Sequence, residues 1–402
     1  MKVLFTFSGL PHYYNFVLNR LNTLENLEVH VLVPNTKSEI IGEGVFQSES
    51  GINFTVYRLS EYKAWYGREF FKGLTKLLSQ INPDMIITTW PYILGFVFIP
   101  RIMIRLKTKK IGLILKEIPF NIPKRKEDIN FYINKGLYSE NTEPVKYSKT
   151  IYSLVKIKLL TFIRMIIFNF VDAHVNYTSY AIEILGSYGV KSNKIFVTYN
   201  SPDTDRLLNA KKELEKENIH MKQYRIIHVG RLVKWKRVDL LIESIAGLKT
   251  VFPEIELYII GDGPEKEYLE NLAKELDLCN IVKFIGSIYS PMELGKYLMS
   301  SSVYILAGMG GLSINEAMCF GKPVICSICD GTEKELVREG YNGFFFKEGD
   351  KNDLIEKIKI LFTNPELTKK MGENSLNIIK DKVNIESVIQ GYQKAFNFVS
   401  KK

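Results

Sequence analysis

Cysteine is scarce in this chain: four in 402 residues, Cys279, Cys319, Cys326 and Cys329, all in the second half. That number and placement exclude an extracellular disulfide framework. Cys326 and Cys329 have C-x-x-C spacing, but no second pair and no histidine cluster accompanies them, so no metal or redox site is expected there. Also lacking is a charge-free apolar run long enough to span a bilayer. Residues 151–171 are interrupted by Lys156, Lys158 and Arg164, and residues 91–110 by Pro100 and Arg101, which argues against spanning helices. The opening MKVLFTFSGLPHYY is too short an apolar run for a signal peptide and is broken by Gly9 and Pro11. It reads as a first strand, and the chain is expected in the cytoplasm. No low-complexity tract and no internal repeat is present. With 46% hydrophobic and 24% charged residues, the composition is that of a globular protein of two or three domains, two being the better fit.

Charge is what the first half has in excess. The net charge is +10; residues 1–200 hold 25 Lys and Arg against 15 Asp and Glu, whereas residues 201–402 hold 29 of each. A basic half beside a neutral half points to a polyanionic partner for the first: a nucleic acid, an anionic membrane surface or a phosphorylated acceptor. Nucleic acid is not expected, because no recognisable binding module is present. Residues 151–171, and residues 91–110 with their cluster of Arg105, Lys107, Lys109 and Lys110, are expected to touch an anionic bilayer surface. The plainer reading makes them domain helices with one solvated face.

Apolar runs of four to seven residues alternate with helix-type segments throughout, the pattern of parallel sheets covered by helices. Strands are expected at residues 3–7, 29–33, 85–88, 111–115, 173–176 and 195–197, and at 225–229, 256–260, 282–285, 303–306 and 324–327. Each half therefore reads as its own doubly wound α/β sheet, with domains at 1–200 and 224–384. Residues 201–223, polar and without strand signal, read as the linker, and a helix at about 385–399 is expected to pack back on the first domain. Residues 119–150 read as the longest irregular stretch and a candidate mobile loop.

Three strand ends of the second half carry glycine turns. At residues 302–343 a strand leads into Gly308, Gly310 and Gly311 and then a helix-like segment bearing Glu316. Glycines there let the backbone approach a phosphate where unpaired amides are exposed. Glu316, one turn further in, suits sugar hydroxyls. At residues 225–245 a strand ends in a Gly-Arg step followed by Lys236. Arg231 offers two parallel donors to a diphosphate and Lys236 a point charge, at the strand end where such sheets bind ligands. Residues 257–276 repeat the theme with a turn containing Gly261 and Gly263.

The second half resembles the donor-binding domain of the retaining glycosyltransferases of family 4. VGRLVKWKRVDLLIES, LYIIGDGPEKEYLENLAKEL, VKFIGSI, GLSINEAMCFGKPVICS and ELVREGYNGFFF match that family's motifs in order and spacing. The first half is similar only in outline. The resemblance implies a GT-B fold, two facing Rossmann-like domains with a cleft between them, the first binding acceptor and the second a nucleotide sugar. It implies that Arg231, Lys236 and the amides near Gly310, Gly311, Leu312 and Ser313 hold the diphosphate and that Glu316 takes the ribose. Backbone around residues 285–288, with Gly286 and Ser287, would meet the base, and Gly9, Gly261 and Gly263 would line the site.

Two positions depart from the family pattern. A second glutamate, eight residues before Glu316, usually contacts the donor sugar; here that position is Gly308. The glycine usual after the clamp lysine is Arg237, either a third cation at the phosphates or a solvent-facing residue. On the acceptor side the resemblance points to Glu117 in IGLILKEIPFN, and to His12 after the Gly9 loop, as candidate catalytic groups; a structural ion pair for Glu117 remains the plainer alternative. The Asp203-Thr-Asp205 step is not expected to bind metal. The expectation is thus a peripheral membrane glycosyltransferase on the cytoplasmic face of the plasma membrane. It would use a nucleotide diphosphate sugar, UDP or GDP sugar foremost, without other cofactor or metal. Its acceptor would be lipid-linked or a polysaccharide, as in lipopolysaccharide synthesis. The rivals are a non-catalytic nucleotide-sugar-binding subunit and an epimerase or hydrolase on the same fold.

Overall fold

A computed structural model describes the chain except residues 36–39, 43–44, 118–121, 136, 140–141, 330 and 402. It divides into two compact units, Met1–Tyr199 with Glu386–Lys402, and Asn200–Ile385. In the first, a seven-stranded parallel sheet runs Ile195–Val197, Ala173–Asn176, Gly112–Lys116, Met85–Thr89, Lys2–Thr6, Glu28–Pro34 and Thr55–Leu59. In the second, a six-stranded parallel sheet runs Val282–Gly286, Glu256–Ile260, Arg225–Val229, Val303–Leu306, Val324–Ser327 and Gly343–Phe346.

The central strands form because their residues are apolar on both faces, as a sheet covered by helices on both sides requires. Val3, Leu4, Phe5, Ile226, Ile227, Val303 and Ile305 are all fully buried. All eleven expected strands are present. Two edge strands were not foreseen: Thr55–Leu59, only partly covered and rich in polar residues, and Gly343–Phe346, which opens on a glycine.

In both sheets chain order reverses beside the first strand of the unit. In the second, successive strands step away from Arg225–Val229 on one side, and Val303–Leu306 then pairs on its other side. In the first, the same reversal falls between Lys2–Thr6 and Met85–Thr89. Loops at the carboxyl ends of strands flanking such a switch point splay apart and leave room for a ligand.

Two expectations need correction. Residues 201–223 are not a bare linker: Thr204–Leu214 is a helix of the second unit. The Asp203 side chain caps it by accepting from the Arg206 amide at 3.2 Å, and Leu207, Ala210 and Leu214 are buried. Its apolar stripe is narrow and its remaining surface charged, which hid it in the composition. Residues 119–150 are not irregular throughout. Their described part contains short helical turns at Arg125–Glu127, Asp128–Asn130 and Phe131–Lys135, and a hairpin pairing Leu137–Ser139 with Thr142–Val145.

Polar anchors hold this segment to the helix Ile151–Phe170. The buried Asp128 carboxylate accepts from Lys158 Nζ at 2.8 and 2.9 Å and from Thr161 at 2.8 Å. Buried Arg164 donates to the hydroxyl of fully buried Tyr132. The C-terminal helix Ile385–Ser400 leaves the second unit at its first residue and packs on the first. A β-carbon on Gly391 would stand 2.7 Å from Thr198 Cα, so glycine lets that helix lie close.

Candidate functional site

Within the second unit, the loops after Arg225–Val229 and Val303–Leu306 meet across the switch point and are locked together. The Lys236 ammonium is buried and donates to the carbonyls of Met309 at 2.8 Å and Gly310 at 2.6 Å. In return, the Met309 amide donates to the Trp235 carbonyl at 2.9 Å. These carbonyl partners fix the position of the Lys236 ammonium under the glycine loop. A β-carbon on Gly311 would come within 3.0 Å of Nζ, so this glycine keeps the loop on the lysine. The Arg231 guanidinium stacks over the Trp235 ring at 5.8 Å from its centroid.

Arg237, the residue after the clamp lysine, is partly exposed. Its backbone is left-handed, φ 51°, a conformation that glycine adopts without strain. Its side chain pairs with Asp239, with Nε at 3.1 and 3.2 Å from the two carboxylate oxygens.

Glu316 lies in the short helix Ser313–Cys319. Among the described residues its carboxylate has no hydrogen bond or ion pair, and burial pushes its pKa up to about 7. A half-buried acceptor with unspent lone pairs suits a hydroxyl-bearing ligand. Ser313 beside it is held by the buried Tyr304 hydroxyl, which donates to its Oγ at 2.8 Å.

Gly261 and Gly263 have packing roles. β-Carbons there would come within 1.8 Å of the Gly230 carbonyl oxygen and 2.4 Å of that of Leu232, so both turns nest by having no side chains. The Gly261 amide donates to the Gly286 carbonyl at 2.9 Å, which aligns Gly286 and Ser287 beside them at the same sheet edge.

Two contributors escaped the motif reading. His228 is fully buried; its Nδ1 donates to the Ile305 carbonyl at 3.0 Å, leaving Nε2 unpartnered among the described residues, beside Gly230. Burial, with the nearby Lys236 charge adding to it, lowers its pKa to about 4, so the ring is neutral. Its only sequence signal is adjacency to the Gly-Arg step. Tyr304 gave none, because it reads as one more strand aromatic.

In the first unit, Gly9, His12 and Glu117 follow strands on one edge of the sheet. Gly9 is buried in the loop after Lys2–Thr6, and His12 opens the turn His12–Tyr14 partly exposed. Lys116, preceding Glu117, places its ammonium 5.2 Å from the Tyr14 ring centroid, so the loop and this strand end are neighbours. Glu117 is buried with Oε1 unpartnered among the described residues, and its pKa is pushed up to about 7 by burial, the Arg164 charge offsetting part of the rise. Arg164 also lies over the Trp90 ring at 5.8 Å. Residues 118–121, the remainder of that motif, lie outside the described residues.

Comparison with known proteins places these loops in context. Residues 209–377 match the family model described as Glycosyl transferases group 1. The chain is 31% identical over 206 residues to an uncharacterized glycosyltransferase of Haemophilus influenzae, covering 50% of this chain and 55% of that protein. It is 27% identical over 219 residues, 54% of this chain and 42% of the other, to a poly(ribitol-phosphate) alpha-N-acetylglucosaminyltransferase of Staphylococcus aureus. The chain thus spans about half the length of the curated relatives it matches. Among solved structures it is similar to Anabaena Alr3699/HepE in complex with UDP, with TM-score 0.66, 17% identity, 99% of this chain and 100% of the other covered. The fold is GT-B, built from two Rossmann-like units.

Proposed function

We propose that the protein is a retaining hexosyltransferase that moves a sugar from a nucleotide diphosphate donor to a lipid-linked or polysaccharide acceptor at the cytoplasmic membrane face. One observation carries the reading. At the switch point of the second unit, a buried lysine ammonium is fixed under a glycine loop, and Glu316, with no hydrogen bond or ion pair among the described residues, lies in the short helix that follows that loop. That juxtaposition suits a ligand with anionic phosphates next to a ribose. The solved UDP complex of a structure with the same fold and the family match of residues 209–377 support it.

The chemistry follows from charge. As the glycosidic bond to phosphate breaks, the departing diphosphate gains negative charge. Arg231, Lys236 and the amides of Gly311, Leu312 and Ser313 then stabilise it without reorganising. In this reading Glu316 orients the nucleotide through its ribose, and Glu117 and His12 serve the acceptor side. Glu117 can hold or release a proton near neutral pH. UDP or GDP sugars are the preferred donors, with no further cofactor. A thermal-shift screen against UDP, GDP, ADP and CMP sugars tests the reading. A rise with UDP or GDP sugars supports it; no rise with any of them refutes the donor site.

A further inference from the structure

The helix Ile151–Phe170 has two apolar faces. One buries Ile157, Ile167 and Phe168 in the first unit; the other holds Ile151, Tyr152, Val155, Leu159, Phe162 and Ile166 in solvent, with Leu159 and Phe162 56% and 54% exposed. Their spacing of three and four residues puts these side chains in one stripe about 22 Å long at 1.5 Å per residue. Soluble chains seldom leave so continuous a stripe uncovered.

Cations ring it. Lys156 and Lys158 are exposed on its two flanks, and at its C-terminal end the Lys107 ammonium sits 6.0 Å from the Phe170 ring. Beside Phe162 opens a cavity of about 260 Å³ lined by Arg125, Lys158, Thr161, Phe162 and Met165. Lys158 shares its charge with Asp128, whereas the exposed Arg125 guanidinium has no carboxylate partner among the described residues. From residue 101 to 170 there are 15 Lys and Arg against five Asp and Glu.

We propose that this stripe inserts into an anionic phospholipid bilayer, with Arg125 and Lys158 taking a lipid phosphate in the cavity beside it. The inference rests on the membrane side of the reading above and names the surface that would do it. A second copy of the chain is the other apolar occupant available. Pairing two such stripes would bring two basic rims together, whereas lipid phosphates neutralise them. An amphipathic helix with apolar residues inserted and basic flanks at the headgroups is the arrangement that membrane surfaces favour.

The test is flotation with vesicles of phosphatidylcholine alone or with 30% phosphatidylglycerol, a composition chosen as roughly physiological in surface charge. Proteins compared are the wild type, Leu159→Glu/Phe162→Glu and Arg125→Glu, each checked for mass by light scattering and for UDP- or GDP-sugar binding by thermal shift. All three changes are at exposed positions, and unaltered melting temperatures show that the fold is intact. The wild type is expected to float at least tenfold better with the anionic vesicles. The double variant should lose at least tenfold, Arg125→Glu at least threefold, and excess glycerol phosphate should not release the bound protein. Absent flotation, equal binding to both vesicle types, release by glycerol phosphate, or a wild-type dimer that the double variant breaks would each overturn the proposal. Donor binding retained without flotation leaves the glycosyl-transfer reading standing; flotation without donor binding does the reverse.

Discussion

The Trp235 carbonyl oxygen lies 2.1 Å from where a β-carbon on Gly308 would stand, and the Lys236 carbonyl carbon is 2.6 Å from the same point. No side chain fits there without moving the backbone that positions Lys236. The position at which the family resemblance would put a sugar-contacting glutamate is therefore closed in this chain by its own lysine loop.

Gly308→Ala should accordingly destabilise the second unit, by roughly 2 kcal/mol as for an overpacked core site. At this domain size that is a fall of about 4–8 °C in melting temperature. Gly308→Glu should do worse and should not raise transfer rate. Calorimetry and a donor-turnover assay check both. A stable, faster Gly308→Glu variant would show that the loop can open.

Arg237→Gly should be tolerated. It relieves a left-handed non-glycine residue at about 1 kcal/mol and loses a partly exposed pair with Asp239 of at most similar worth. Melting temperature and donor affinity are both expected to stay close to wild type. A large loss of affinity would put the Arg237 charge on the phosphates after all.

Burial raises the pKa of Glu316 from 4.5 to about 7, so the folded chain binds this proton more tightly than the unfolded one. The stability this contributes is present below pH 4.5 and is lost as pH rises through about 7. Glu316→Gln should flatten the decline of melting temperature between pH 5.5 and 8. Donor affinity of the wild type should move the opposite way, rising as the carboxylate ionises and accepts from ribose hydroxyls. Thermal melts and titrations over that range check the two slopes.

Glu117→Gln should leave the nucleotide-sugar thermal shift unchanged and slow transfer to acceptor by roughly 100-fold, the scale of a lost acid or base group. The pH profile of the wild type should break near 7, where burial has moved this carboxyl. An unchanged rate would make Glu117 a structural partner of Arg164.

The sheets were legible in the sequence because strands buried on both faces leave unbroken apolar runs, as at Arg225–Val229 and Val303–Leu306. Arg231, Lys236 and Glu316 were legible because they follow those runs at fixed offsets. Thr204–Leu214 was not, since its buried side is four residues, Thr204, Leu207, Ala210 and Leu214, in a charged segment. Nor was the electrostatic influence of Arg164 on Glu117, which lie far apart in sequence and are brought near each other only by the fold. Gly308 read as a missing carboxylate; only the neighbouring backbone shows that glycine is required there.

The central claim is that the glycine loop over Lys236, with Glu316 beside it, binds a nucleotide diphosphate sugar. Isothermal titration of the wild type and of Glu316→Gln with UDP and GDP sugars tests it most directly. The account predicts saturable one-site binding of one of these donors to the wild type, weakened at least tenfold in Glu316→Gln while the fold stays intact. Equal affinity in the two proteins, or no binding of either donor to the wild type, would contradict it.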